Sequence, residues 1–250
     1  MPTTTAIIPA RMGSTRFPGK ALADETGTPM VVHVCERAAM ADAVDRVVVA
    51  TDADEIARAV SDHGYDAVLT GKHPNGTSRL AEAGMILELG EADEIVNVQG
   101  DEPEIEPDLI DAALAALRTG VSVGTVAVPF GEGEDPADPN IVKAMVGRLG
   151  KKRIGPGLYF SRGLVPYERD TGAGLTRLKH VGLYAYSFGS LLGYLDLEPT
   201  PLERAECLEQ LRWLEHGLRI AVAVRDGSPA GIDTPEEYAA FVERWRSARG

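Results

Sequence analysis

Arg11, Arg16 and Lys20 fall within one short segment, PARMGSTRFPGK (Pro9–Lys20), interleaved with Gly13, Ser14, Thr15 and Gly19. Three cations on one loop can neutralise a triphosphate. Ser14 and Thr15 can donate hydrogen bonds to it, and the small residues let backbone approach phosphate closely. The spacing excludes a Walker A loop, because five residues separate Gly13 from Gly19 and Ala21, not Ser or Thr, follows Lys20. A dinucleotide fingerprint is excluded as well, since no G-x-G-x-x-G is present here. Two carboxylates complete the chemistry. Asp101 follows a glycine in NVQGDEP, where it can hold a hard cation, while Glu102 beside Pro103 reads as a turn residue. Asp233 precedes TPEE, a run that reads as Thr234 at the N-cap, Pro235 at the first helical position and Glu237 at capping-box spacing. Capping accounts for that run but not for Asp233. Together, Asp101 and Asp233 suggest a sparse magnesium site with room for substrate phosphates. With no conspicuous Ser–His or Cys–His constellation, this set points to phosphoryl or nucleotidyl transfer by positioning and charge neutralisation.

The elements that must carry these residues alternate between strand and helix. Strands are expected at Thr4–Pro9, Asp45–Thr51, Ala67–Thr70, Glu94–Val98 and Val121–Pro129, and helices at Pro29–Ala41, Ser78–Leu89 and Pro107–Leu117. The run Asp52-Ala53-Asp54-Glu55 reads as a cap and dipole match at a further helix start, not as a metal site. This βαβ alternation implies an α/β fold with a mostly parallel sheet, whose ligands bind beyond the carboxyl ends of the strands. The loops at Pro9, Thr51, Thr70, Gln99 and Pro129 are then the places to look. Beyond Gly131 the pattern loosens. Residues 131–200 are expected to form an appended antiparallel region, and the aromatic-rich stretch Leu158–Tyr186 to pack on a partner or over the site. A helix over Pro201–His216, a strand over Arg219–Val224 and a helix over Thr234–Arg246 close what reads as one domain, 1–250.

Bulk properties narrow the function classes. The formal charge of −13 disfavours nucleic acid as a partner. Cys35 and Cys207 fit no metal or redox spacing and read as reduced thiols. No leader and no apolar run long enough to span a bilayer is apparent, so a cytoplasmic location is expected.

Ten segments in register carry a family resemblance: IIPARMGSTRFPGK, PMVVHVCERA, VVVATD, NGTSRLAE, IVNVQGDEP, DPNIVK, LYFSRGLVPYERD, KHVGLYAY, LEQLRWLEHG and GIDTPEE. The chain resembles the 3-deoxy-manno-octulosonate (KDO) cytidylyltransferases. The resemblance implies a Rossmann-like nucleotidyltransferase fold, a homodimer, and magnesium-dependent transfer of CMP from CTP to KDO. It implies that Arg11, Ser14, Arg16 and Lys20 meet the CTP phosphates, Thr77 and Arg79 serve the nucleotide, and Asp101 and Asp233 hold magnesium, with Lys20 counted among the catalytic groups. Gln99, Arg162, Arg169, His180, Tyr184, Glu209 and Gln210 would meet the sugar acid. Within the expected 201–216 helix, Glu206 and Gln210 share a face at i,i+4 and Glu209 is displaced from it. Asn75-Gly76-Thr77-Ser78-Arg79 stands where the family carries Ser-Gly-Thr-Glu/Asp-Arg, which leaves Arg79 without a sequence-adjacent partner. The glycine-rich basic stretch Gly147–Gly157 reads as a lid or a solvated loop. Alternatives are cytidylyl transfer to 8-amino-KDO or a sialic acid, and a non-catalytic nucleotide-binding module.

Overall fold

A computed structural model describes residues 2–150, 152–169, 174–227 and 231–249. The chain divides into two compact units, Met1–Ile110 with Pro229–Gly250, and Asp111–Ser228.

The first unit opens with β1 (Thr4–Ala10), followed by α1 (Met30–Ala39), β2 (Arg46–Thr51), α2 (Asp54–Asp62), β3 (Asp66–Leu69), α3 (Gly76–Ile86) and β4 (Glu94–Asn97). Its strands are all parallel, in the order β3-β2-β1-β4. Ile7 pairs with Val48 on one side and Asn97 on the other. β1 and its neighbours read as near-continuous apolar runs because helices cover both faces, and Ala6, Ile7, Ile8, Val48, Val49, Ile95 and Val96 are fully buried. The strand order reverses between β1 and β4, and that switch point is where parallel sheets of this kind open a crevice. The C-terminal helix, Pro235–Ser247, belongs to this unit. Its Tyr238, Phe241 and Val242 pack with Met30 of α1 and Ile232, against Phe17 and Trp245.

Helix α4 (Pro107–Leu117) leads into the second unit, which holds β5 (Val123–Pro129), β6 (Lys143–Val146), β7 (Ile154–Ser161), β8 (Leu178–Ser187), α5 (Phe188–Leu195), α6 (Pro201–Glu206), α7 (Gln210–Glu215) and β9 (Ile220–Val224). The order is β8-β5-β9-β7-β6. β5 and β9 run parallel; β5–β8, β7–β9, β6–β7 and β6–β8 are antiparallel.

Two expectations need correction. The helix expected over 201–216 is two helices, α6 and α7, broken at Cys207, which adopts a left-handed φ of 51°. No glycine or proline marks the break. The pair is held as a hairpin by Arg212, which donates to both Glu203 oxygens at 2.7 and 2.5 Å. The stretch Gly147–Gly157 is not all loop, since Ile154–Gly157 lies in β7. Its glycines serve close packing: a Cβ on Gly155 would stand 2.9 Å from the Gly147 carbonyl.

Candidate active site

The carboxyl edge of β1 and β4 opens into a cavity of about 320 Å³. Arg11, Ser14, Arg16, Lys20, Arg79, Gln99, Asp101 and Asp233 all line it. Thr77 is not among the lining residues; it is buried in the first turn of α3.

Local chemistry shapes the cationic loop. Ser14 Oγ accepts from the Phe17 N–H at 3.4 Å, and Gly19 takes φ 73°, a conformation glycine adopts without Cβ strain. The turn delivers Lys20 into a short 3-10 helix with its ammonium pointing at the carboxylates. Lys20 Nζ donates to Asp101 Oδ2 at 2.7 Å, to Asp233 Oδ1 at 3.1 Å and to the Ile232 carbonyl at 2.9 Å. Arg16 meets the other Asp233 oxygen at 2.7 Å. Arg11, the third cation of the expected set, lines the cavity and is exposed.

The two aspartates are brought to this point separately. Asp101 follows Gly100, where a Cβ would lie 2.7 Å from the Pro9 carbonyl, so the β4 loop approaches β1 only because residue 100 is glycine. Asp233 sits one residue before Thr234, the N-cap of the C-terminal helix. There Glu237 accepts from the Asp233 and Thr234 N–H groups at 2.7 and 2.9 Å, and Thr234 Oγ1 accepts from the Glu237 N–H at 3.2 Å. The capping box expected from TPEE is therefore present, and it also fixes the backbone of Asp233. The Ile232 N–H donates to the Asp101 carbonyl at 2.8 Å, tying the two aspartate segments together through main chain. Beside them, the Glu102 carboxyl is pushed up to about 8, first by burial and then by the neighbouring Asp101.

Two carboxylate oxygens from different segments converge on one cation, the Lys20 ammonium. Hard oxygen donors of this number suit magnesium, which takes one or two carboxylates and completes its shell with phosphates and water. No group of three or more His, Cys, Asp and Glu side chains with metal-site geometry occurs among the described residues.

Arg79 does not lack a partner. It is buried, donates to Thr70 Oγ1 at 2.7 Å, and lies 3.2 Å from Asp52 Oδ1. Asp52 is thus not a helix cap; the N-cap of α2 is Ala53, and Asp54 and Glu55 supply the acidic first turn. The missing acid at position 78 is explained by the same segment. Asn75 caps α3, accepting from the Ser78 N–H at 2.9 Å and the Ser78 hydroxyl at 2.8 Å. Asn75 and Ser78 together thus cap the start of α3 without an acid at position 78. His73 continues the network from Ser78 Oγ, at 3.1 Å, to the Glu82 carboxylate. Asp52, Thr70, His73 and Glu82 carry no local motif. The signal that could have found Asp52 and Thr70 was their position at the carboxyl ends of β2 and β3.

The second unit holds the other expected residues. His180 and Tyr184 are ring neighbours on β8, with centroids 5.2 Å apart, in a row that continues through Tyr186 and Trp213 to Tyr194. Burial holds the His180 imidazole down at about 3, so it is neutral. Burial, assisted by Glu209, raises the Tyr184 phenol. With α6 and α7 separate, Glu209 becomes the N-cap of α7 and Gln210 its first residue, so the i,i+4 relation of Glu206 to Gln210 does not exist. Gln210 is buried, and its Nε2 has no hydrogen-bond partner among the described residues. Glu206 instead accepts from Ser161 Oγ at 2.7 Å and the Arg162 N–H at 2.8 Å. The Arg162 guanidinium is engaged by backbone, donating to the carbonyls of Glu206 and Pro139 at 2.7 and 3.1 Å. Arg169 is exposed. Lys143, missed in the sequence, is buried and donates to the carbonyls of Asp138, Ile141 and Arg162 at 2.9, 2.7 and 2.6 Å, which fixes the turn before β6 to the end of β7.

A cationic loop facing two carboxylates at the switch point of a parallel sheet defines a nucleotide-handling transferase of α/β architecture. Comparison with known proteins gives the particular family. A family described as Cytidylyltransferase matches residues 5–220. The 3-deoxy-manno-octulosonate cytidylyltransferases of Anaeromyxobacter sp. (strain K) and Syntrophobacter fumaroxidans are 46% and 47% identical, over 92% and 94% of this chain and 93% and 94% of their own. A solved CMP:2-keto-3-deoxy-manno-octonic acid synthetase complexed with CTP superposes with a TM-score of 0.89 at 36% identity, covering 98% of this chain and 99% of that one. The fold alone is shared with a 4-diphosphocytidyl-2C-methyl-D-erythritol synthase, at a TM-score of 0.61 and 14% identity. The chain belongs to the 3-deoxy-manno-octulosonate cytidylyltransferase family.

Proposed function

We propose that this enzyme transfers CMP from CTP to the C2 hydroxyl of KDO, giving CMP-KDO and pyrophosphate. The observation that carries the reading is the meeting of Arg16, Lys20, Asp101 and Asp233 in one cavity. Arg11, Ser14, Arg16 and Lys20 take the phosphates, and Thr77 and Arg79 serve the nucleotide. The C2 hydroxyl gives up its proton to solvent as its oxygen bonds to the α-phosphorus, the α–β bridging P–O bond breaks, and that bond's electron pair leaves with pyrophosphate. Lys20 and Arg16 offset the charge gathering on that leaving group, worth several kcal/mol where water is excluded. His180, Tyr184, Glu209 and Gln210 meet the sugar acid with Arg162 and Arg169, and the orphan Nε2 of Gln210 suits a ligand acceptor. Asp101 and Asp233 would hold magnesium, which when bound supplies charge neutralisation and lowers the pKa of the attacking hydroxyl.

A homodimer in the cytoplasm fits this reading. Leu158, Leu164 and Tyr167 expose 59%, 50% and 88% of their surface, in the stretch expected to meet a partner. No helix among the described residues is long and apolar enough to cross a membrane.

The test is incubation of the purified chain with CTP, magnesium and KDO, 8-amino-KDO or a sialic acid in separate reactions, following pyrophosphate release and product mass. CMP-KDO as the preferred product is expected. Preference for another acid would reassign the substrate, and no pyrophosphate with any of them would end the transferase reading.

A further inference from the structure

The pairing of β5 with β8 contains a bulge. Thr125 lies opposite Tyr184 and the next residue, Val126, opposite Val181, so Gly182 and Leu183 are accommodated between them. A bulge of this kind re-aims the side chains around it. Here it brings the Leu183 carbonyl and the His180 ring to the same hydroxyl. Thr125 is fully buried, its Oγ1 donating to the Leu183 carbonyl at 2.7 Å and lying 2.9 Å from His180 Nε2. A threonine hydroxyl has one proton. The carbonyl can only accept, so the proton is committed to Leu183, and the contact with His180 is a hydrogen bond only if Nε2 carries the hydrogen. A neutral imidazole has one N–H; Nδ1 is then a bare lone pair. His180 Nδ1 forms no hydrogen bond with a described residue, and the ring plane is held by Phe160 and Tyr184, whose centroids are 4.9 and 5.2 Å away.

We propose that Thr125 is a positioning residue that locks His180 in the Nε2–H tautomer, so that Nδ1 serves as a hydrogen-bond acceptor for a donor group of the sugar acid. This rests on the reading of His180 as a sugar-acid contact. It sharpens that reading by fixing the direction of the bond: His180 recognises a hydroxyl or another N–H or O–H donor of the substrate, not its carboxylate. An anionic oxygen placed at Nδ1 would meet a lone pair and be repelled.

Two-bond proton–nitrogen correlation spectra of the protein labelled with nitrogen-15 histidine read the tautomer directly, with His180→Gln assigning the signal. The ligand-free enzyme is expected to show a protonated Nε2 and an unprotonated Nδ1, with the Nδ1 signal moving toward the hydrogen-bonded range on addition of KDO. Thr125→Val keeps the shape and removes the hydroxyl; it is expected to mix the tautomers and raise the KM for KDO roughly tenfold, the worth of one neutral hydrogen bond, while leaving the KM for CTP unchanged. Thr125→Ser is expected to restore both. A ligand-free spectrum with the proton on Nδ1 overturns the lock whatever the variants do, so the test does not depend on Thr125→Val folding. A Thr125→Val enzyme with mixed tautomers and an unchanged KM for KDO overturns the acceptor role. Absence of turnover by the unaltered enzyme with every sugar acid would instead refute the transfer reading, and is distinguishable because the tautomer is measured without substrate.

Discussion

Replacing Asp52 by Ala separates two accounts of that residue by their size. As a helix cap it would contribute about 1 kcal/mol. As the partner of Arg79 it contributes more. The ion pair spans 3.2 Å, and the two side chains are 25% and 5% exposed. At that distance, with an effective dielectric constant of 20, the attraction is about 5 kcal/mol, of which desolvation cancels a large share. What the substitution leaves behind decides the outcome: a buried guanidinium whose remaining side-chain partner is Thr70, a state that costs about 3–5 kcal/mol. Discounting for the partial exposure of Asp52, about 3 kcal/mol is expected, or a fall in Tm of roughly 6–12 °C for a chain of this size. Arg79→Met should cost less, because the orphaned Asp52 keeps access to water. The pair should be strongly non-additive, with a coupling of about 2 kcal/mol in a double-mutant cycle followed by urea unfolding. Arg79 also lines the cavity, so the KM for CTP should rise in both single variants. A loss of about 1 kcal/mol in Asp52→Ala with no coupling to Arg79→Met would refute the buried pair and return Asp52 to the role of a cap.

Asp101→Asn should abolish pyrophosphate release while calorimetry still detects CTP binding; surviving turnover would refute the proposed magnesium role of Asp101. Gly124→Ala should destabilise the protein by about 3 kcal/mol or more, since a Cβ there would lie 2.2 Å from the Ala113 carbonyl and 2.4 Å from the Leu117 nitrogen, both backbone atoms of α4; an unchanged melting curve would contradict that packing. Of the two cysteines, only Cys207 should react with a thiol reagent in the native protein, because Cys35 is buried and its thiol is pushed up to about 12, whereas both should react in denaturant. His180 is held down at about 3 against an ordinary 6.5, so between those values the unfolded chain binds the extra proton and stability should rise with pH, levelling off above 6.5. His180→Gln should flatten that slope in urea midpoints measured from pH 4 to 7; equal slopes would show that His180 is not buried neutral.

What could be read in the sequence was whatever a few neighbouring residues decide. The cationic loop, the TPEE capping box and the alternation of β1 to α4 are all local, and each element lies within a few residues of its expected bounds. Lys20 was legible as a cation but not as the group joining Asp101 to Asp233, because those partners lie 81 and 213 residues away along the chain. The same limit explains the helix expected over 201–216. Its break at Cys207 has no local signal; the cost of a left-handed non-glycine residue is offset by the Glu203–Arg212 pair that the break allows. The Asn75–Ser78 exchange teaches the complementary lesson. Against a family pattern it reads as the loss of a charge, and only the hydrogen bonds at the start of α3 show that Asn75 and Ser78 cap the helix here, with Arg79 held from Asp52. A departure from a pattern therefore says little about function until the partner of the changed residue is known, and in this chain the partners that matter most for Lys20, Arg79 and His180 lie in other strands and loops.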